Sequence, residues 1–519
     1  MLRILTLIYL TTAVYCQSLA NSFFAETGTY PGFITRINQK GLDLLSSHLS
    51  DRVLRFMNAG DLPFNISASL SEEARFTLAA ARILSFDTNS FSSRIISSPG
   101  KGLSWTGSNI NATVNSHFVL STPSGDVSGF VPLSFDRTNV ELSLWTGVNS
   151  DGHLKTDLVT CKVAANNIQL RFSQSDSVLL SNYLPHVMQF IKEHMEQVIC
   201  PTFHAELVPV ISNRLMNTPM SAALFEQYFL NYGLLGPVEF RENEVILRHR
   251  GNAFGILRQG RTRLNDFRLP FRSVPFNIEG PPSGKMVDFY LSNYTVSSLL
   301  FWMDQYRKFD YEISRTAQNN SAITGYLKTN CPSDDICAGT LFPALGQRFP
   351  DGEVVIKSHT ISYPKMVIKE NNITIYIDSK VDAFVQQGER SRRFLTAGMN
   401  AEIKLDKVSF SNYVLNADMH IEKFKIDEVA SLVDGIDENS LEFLVNALTE
   451  LILNEDMAKK LRGGIHLPII FDFEQTTSEV AFENDRIRIS ADYCYGDKCK
   501  SSLAENKDAN IDYYDVVQG

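Results

Sequence analysis

The chain has 519 residues, 44% hydrophobic and 20% charged, the balance of a folded globular protein. That length is too great for one core and calls for two or more domains. A formal net charge of −10 argues against nucleic acid as a partner, yet leaves membranes open because apolar contact can be local.

In chain order, Met1 to Ala20 carries one cation, Arg3, then an apolar run from Ile4 to Leu10 and small residues near Cys16 and Ala20, which predicts a secretory signal peptide over residues 1–20. Phe33 to Met57 reads as a helix, with Ile34, Ile37, Gly41, Leu45, His48, Leu49, Val53 and Phe56 on one stripe. Period-two segments follow at Phe76 to Phe86, Ala112 to Leu120, Val127 to Phe135, Val140 to Trp145, Leu154 to Thr160 and Val163 to Phe172, the pattern of an antiparallel meander. Ser177 to Ile199 then predicts one long amphipathic helix, with Val178, Leu179, Leu184, Val187, Met188, Ile191, Met195 and Val198 on its buried face. Leu257 to Lys285 holds Pro270, Pro275, Pro281 and Pro282, shows neither period, and reads as an extended linker.

The second half repeats the order. Helices are expected at Val296 to Tyr306 and Leu341 to Phe349, and strands at Val354 to Ile361, Met366 to Ile377, Val381 to Val385, Met399 to Phe410 and Val414 to Phe424. A long helix over Ser440 to Leu461 stops at Gly463 and Gly464, and strands at Glu479 to Phe482 and Arg486 to Ala491 close the set. The tail from Ser501 to Gly519 is polar and acidic.

Seven cysteines are odd in number, and losing Cys16 with the signal leaves six. Six thiols allow many connectivities; chain order groups them as Cys161 with Cys200, Cys331 with Cys337, and Cys494 with Cys499, with the pairing of Cys331 and Cys337 left open. Such bridges require an oxidising, extracellular compartment. Asn-x-Ser/Thr tripeptides at Asn65, Asn111, Asn293, Asn319 and Asn372 are candidate glycan acceptors.

No Gly-x-Ser-x-Gly elbow, His-Glu-x-x-His helix or phosphate-binding loop occurs, so no catalytic residue is assigned and no cofactor or metal is expected. His186, His194 and His204 lie eight and ten apart, a spacing that makes no zinc face. The acidic run Asp434 to Glu442 suits a turn and a helix N-terminus, where negative charge is favourable.

Several segments together resemble the lipid-transfer and lipopolysaccharide-binding family typified by bactericidal/permeability-increasing protein. Pro31 to Leu44 (PGFITRINQKGLDL) is similar to its opening helix, Leu230 to Pro237 (LNYGLLGP) to the end of its first domain, and Lys285 to Tyr294 (KMVDFYLSNY) to the start of its second. Gly339 to Pro350 (GTLFPALGQRFP) and Leu461 to Pro468 (LRGGIHLP) fit a later helix and its exit, and Cys161 and Cys200 stand where the family keeps its shared disulfide. The resemblance implies an α+β fold: two similar elongated domains, each a curved, barrel-like antiparallel sheet wrapped on long helices, joined by a central sheet into a boomerang. It divides the chain into an N-terminal lipid-binding domain (21–256), the linker (257–285), a C-terminal lipid-binding domain (286–493) and the tail (494–519). It also implies an apolar pocket in each domain.

Hiding one acyl chain of about 16 carbons from water gains on the order of 13 kcal/mol, so a diacyl lipid needs a continuous apolar lining. The candidates are Ile37, Leu45, Leu49, Val53 and Phe56 with Leu184, Val187, Met188 and Ile191 in the first domain, and Leu299, Leu300 and Trp302 with Leu444, Leu448 and Ile452 in the second. The expected partner is a phospholipid or similar diacyl lipid, met at a membrane or lipoprotein surface. Lipopolysaccharide is the rival ligand of a host-defence protein, and a structural secreted glycoprotein with filled pockets is the third reading. Endotoxin binding calls for cations against phosphate, but residues 17–240 hold 14 Lys plus Arg against 18 Asp plus Glu.

Overall fold

The computed structural model describes residues 30–59, 61–172, 181–225, 228–255, 269–275, 277–278, 280–316, 321–436, 438–453, 464–467, 473–496 and 499. The signal-peptide reading, the sequon at Asn319, the acidic tail and the first half of the linker lie outside them. No helix among the described residues is long and apolar enough to cross a membrane.

The first half opens with β1 (Phe33–Asn38) and α1 (Gln39–Ala59), followed by β2 (Asp61–Ser69), β3 (Arg75–Phe86), β4 (Ser92–Ser98), β5 (Gly102–Thr122), β6 (Gly125–Val148), β7 (Leu154–Ala164) and β8 (Asn167–Leu170). Three helices come next, α2 (Leu184–Glu193), α3 (Met195–Thr202) and α4 (Val208–Met216), with a π-helical turn at Phe203–Leu207 between the last two. The short strands β9 (Ser221–Phe225), β10 (Tyr228–Asn231), β11 (Glu239–Arg241), β12 (Glu244–His249) and β13 (Ala253–Gly255) end this half.

The second half runs β14 (Val287–Ser292), α5 (Asn293–Gln305), β15 (Tyr311–Ile313), and the short helices α6 (Ser321–Tyr326), α7 (Ala338–Leu341) and α8 (Pro343–Arg348). Strands β16 (Glu353–Thr360), β17 (Lys365–Lys369), β18 (Asn372–Gln387), β19 (Arg390–Ser411) and β20 (Val414–Ser431) follow, then α9 (Glu438–Leu453), β21 (Ile465–His466), β22 (Glu474–Glu483) and β23 (Arg486–Cys494).

Two seven-stranded antiparallel sheets carry most of the chain: β2-β3-β5-β6-β7 with β4 and β8 attached, and β15-β16-β18-β19-β20-β21 with β17 attached. A six-stranded sheet, β11-β12-β1-β14-β23-β22, joins the halves by setting β1 of the first directly against β14 of the second. Its inner strands are covered on both faces, so all six residues of β1 and of β14 are buried. One face is mainly apolar, with Phe33, Phe289 and Ile489 in a common core and Thr35 and His249 as a polar pair on it. On the other, Ile34, Ile246 and Tyr290 pack with Ile278. There Arg36, 3% exposed, pairs with Glu244 and donates to the carbonyl of Gly280 at 3.1 Å.

The expected α+β class and paired curved sheets are borne out, but several boundaries move. The helix read from Phe33 begins instead at Gln39, because Phe33 to Asn38 is a strand paired on both sides. Burial of both faces removes the alternation that marks a half-exposed strand. The segments expected at Ala112, Val127 and Val140 are pieces of two strands of 21 and 24 residues, bent at bulges between Gly107 and Ala112 rather than broken. Met366 to Ile377 is instead a hairpin turning at Glu370 and Asn371, the latter at φ 61°. Val163 to Phe172 divides between β7, which already contains Cys161, and β8.

The helix expected over Ser177 to Ile199 starts, among the described residues, at Leu184 with Pro185 in its first turn, and the helical path continues to Met216. It is interrupted at His194 and again by the π turn. Pro201 and Pro209 lack the N–H that an uninterrupted α-helix would use, which accounts for irregularity at the second break. The described residues of 269–285 form no helix or strand and touch the central sheet and its first helix: Lys40 donates to the carbonyl of Gly284 at 2.7 Å and Arg486 to that of Asn277 at 2.7 Å.

Candidate functional site

Where α1 leaves β1, the chain must pass close to the second half. A Cβ on Gly41 would stand 2.7 Å from the carbonyl oxygen of Met286, so only glycine lets the helix approach this closely. Leu44 and Leu45 of the next turn then face a cleft lined by Ile37, Gly41, Met286, Val287, Tyr413, Phe473 and Tyr493. None of these side chains is charged. Its cavity volume is ≈ 20 Å³, space for one water-sized group and far below the several hundred Å³ of a preformed small-molecule pocket. As it stands, the cleft is too small for an acyl chain.

Tyr413 reaches the cleft from the β19–β20 turn, where it and Asn412 both have positive φ, 62° and 50°. Its hydroxyl donates to the carbonyl of Phe473 at 3.0 Å, and its ring lies 5.5 Å from that of Tyr493 at an interplanar angle of 27°. Burial pushes both phenols well above the ordinary tyrosine range, so they stay protonated donors. Behind them His249 accepts from or donates to Thr35 Oγ1 at 3.1 Å through Nε2 and meets the carbonyl of Tyr232 at 2.8 Å through Nδ1.

Of the residues singled out in the sequence, Ile37 and Leu45 line this cleft. Leu49 and Val53, farther along α1, pack instead with Trp105, Ile110, Val140 and Leu142. Leu184 is half-buried, and Val187, Met188 and Ile191 lie on the sheet against Phe76, Phe118, Leu120 and Leu133, with Val187 and Ile191 fully enclosed. In the second half, Leu299 and Trp302 pack on Tyr228, Leu230 and Ala253 of the small sheet β13-β10-β9, whereas Leu300 faces the central sheet. Leu444 joins the separate core of Leu345, Val381 and Leu395. The side chains of Phe56, Leu448 and Ile452 lie outside the described residues. The candidates thus fall into several packed clusters rather than one lining.

Sequence reasoning missed Leu44, Met286, Val287, Tyr413, Phe473 and Tyr493 as lining residues. Gly41, the one glycine on a largely apolar helical stripe, was the signal of a close approach. Of the histidines, His194 meets its own helix at the Phe190 carbonyl, 2.9 Å away, while His204 stands 4.0 Å from Asp157. His186 is exposed.

Disulfides close Cys161–Cys200, Cys331–Cys337 and Cys494–Cys499. The first fastens β7 to α3.

Residues 222–495 match the LBP / BPI / CETP family, C-terminal domain, which is more than half of the chain. The chain belongs to the LBP / BPI / CETP family. Bactericidal permeability-increasing protein of Rattus norvegicus is 20% identical to this family member over 451 residues, 85% of this chain and 89% of the rat protein. A crystal structure of lipopolysaccharide binding protein superposes with a TM-score of 0.55 and 16% identity, covering 90% of this chain and 99% of the other. At that identity the likeness is one of fold, and it agrees with the two curled antiparallel sheets. Family membership places the chain among lipid-binding and lipid-transfer proteins in general.

Proposed function

We propose that this family member is a secreted carrier of phospholipid-like acyl lipids, working by binding and release with no covalent step. The observation that carries the reading is the uncharged apolar cleft between the start of α1 and the central sheet. Burying acyl methylenes there and along the helix faces would drive uptake, while the headgroup stays in water. The lining residues predicted in each half, and the division into domains at 21–256 and 286–493, belong to this proposal. The three disulfides support an oxidising destination and so a cleaved signal over residues 1–20.

Charge favours a zwitterionic or neutral ligand over lipopolysaccharide. The β2–β3 and β5–β6 turns lie at one end of the first large sheet, since Arg75 pairs with Ser121. They carry exposed Glu72, Glu73 and Asp126 against Arg75, a poor surface for phosphorylated sugar. Lipid extracted from the purified protein, identified by mass spectrometry, is expected to include diacyl phospholipid, and vesicle-to-vesicle transfer is expected to be nearly indifferent to salt. Binding to lipopolysaccharide that collapses between low and physiological salt would transfer the chain to the host-defence reading. Protein recovered empty, with no transfer, would leave the structural glycoprotein.

Secretion also bears on the sequons. Asn65 on β2 is exposed, whereas the half-buried Asn111 donates to Ser90 Oγ at 2.9 Å and accepts from the Arg137 N–H at 2.7 Å. Asn293 and Asn372 are also half-buried. Asn65→Gln is therefore expected to remove one glycan from the secreted protein, read as a mobility shift that vanishes after enzymatic deglycosylation; identical mobility before that treatment would show Asn65 unmodified.

A further inference from the structure

Tyr493 is 5% exposed, lines the cleft, and has a hydroxyl with no hydrogen-bond partner among the described residues. A buried donor left unmade costs about 1–3 kcal/mol, a cost that phenylalanine would avoid. The nearest obvious acceptors are engaged: the carbonyl of Phe473 takes the hydroxyl of Tyr413, and Met286 Sδ stands 3.3 Å from the backbone N–H of Tyr493 itself. The rest of the cleft lining is hydrocarbon from Ile37, Leu44, Leu45 and Val287, and the phenols of Tyr413 and Tyr232 and the carboxylate of Asp492 are the other polar groups that act on this hydroxyl.

The surroundings narrow what the hydroxyl can bind. A water here would meet only the Tyr493 phenol and groups already engaged with each other, the Tyr413 phenol and the Phe473 carbonyl, so a ligand oxygen that accepts from Tyr493 could displace it. A carboxylate or phosphate would arrive charged in a lining with no cation, and its desolvation would go uncompensated. An uncharged acceptor embedded in an otherwise apolar molecule avoids that cost, and the carbonyl oxygen of an acyl ester is such a group. The cavity of ≈ 20 Å³ is the size of one such oxygen, with the attached chain lying along α1 once the helix parts from the sheet.

We infer that Tyr493 is the polar anchor of the cleft, donating its hydroxyl to the ester carbonyl of a bound acyl lipid, so that the protein selects ester-linked over ether-linked lipids. The inference rests on the lipid-carrier reading above and adds a ligand class to it.

The test presents the full-length secreted protein with neutral vesicles holding equal amounts of diester phosphatidylcholine and its diether analogue, and measures the ratio bound by native mass spectrometry. Wild type is expected to favour the ester about fivefold to tenfold, the worth of one hydrogen bond. Tyr493→Phe is expected to bring the ratio to about one while melting no lower than wild type, since it removes an unpaired group and keeps the ring. Tyr376→Phe, which removes an exposed phenol hydroxyl outside the cleft lining, is expected to keep the wild-type preference. A wild type that takes both lipids equally, or a Tyr493→Phe variant that still prefers the ester, overturns the anchor and leaves lipid carriage standing. A wild type that takes neither lipid overturns the carrier reading and the anchor with it.

Discussion

Cys161→Ser lowers the stability of the folded protein by about 4 kcal/mol, the loop-closure entropy returned to the unfolded chain when a bridge across 39 residues is opened. The local consequence exceeds that of an ordinary surface change, because Cys161 packs beside Val53, Trp105 and Leu142, while the helices it holds bury Val187, Ile191, Met195 and Val198 against the sheet. With the bridge gone, those helices are held by packing alone along a path already interrupted at His194 and the π turn. Reduced secretion and a lower unfolding midpoint in denaturant are the expected readouts. Unchanged values of both would mean that the helices need no covalent fastening. The corresponding change at Cys337 opens a loop of only 6 residues and is expected to cost less.

Acidification from pH 7 to pH 4 costs the protein up to about 3 kcal/mol through His249 alone. This imidazole is 4% exposed, and burial pushes its pKa down from 6.5 to about 4. Well above pH 6.5 it is neutral in both folded and unfolded chains and contributes no pH dependence. As the pH falls below 6.5 the unfolded chain takes up the proton first, so stability declines by about 1.4 kcal/mol per pH unit until the folded form is protonated too. Among the described residues no charged side chain offsets this at the two ring nitrogens, which meet Thr35 Oγ1 and the Tyr232 carbonyl between the rings of Tyr232 and Phe33. Asp151 and Glu239, whose carboxyls are held below their ordinary values of 3.8 and 4.5 by partners including His153 and Arg241, act at lower pH. His249→Gln is expected to start about 1–2 kcal/mol less stable at pH 7, having lost hydrogen-bond geometry, and to show a flatter profile between pH 6.5 and 4. Denaturant titrations at pH 7.5, 5.5 and 4 measure both; parallel profiles would assign the acid sensitivity elsewhere.

The strands that could be read directly were those with one wet face. Phe76 to Phe86 alternates because its neighbours cover one side only, and the structure places β3 within a residue of that reading. β1 was hidden for the opposite reason, as sandwiched strands lose alternation and Ile34 and Ile37 happen to continue the apolar spacing of α1. Two of the nine cleft-lining residues were legible for a similar cause: Ile37 and Leu45 sit on a periodic stripe, whereas Met286, Tyr413, Phe473 and Tyr493 arrive from strands and turns far along the chain. No local pattern announces that a turn such as Asn412–Tyr413 will touch the first helix. Only the strand pairing of the second half brings it there.

The central sheet also sets a timetable for biosynthesis. Phe33 finds its partner Leu291 only after more than half the polypeptide has been made, and β14 then waits for β23 before its second edge is covered. Until then the opening strand offers unpaired amides and carbonyls to any neighbouring chain, the condition under which strands join the wrong partner. Completion of the central sheet therefore has to await the last strands of the chain, which leaves one edge of β1 uncovered through most of synthesis.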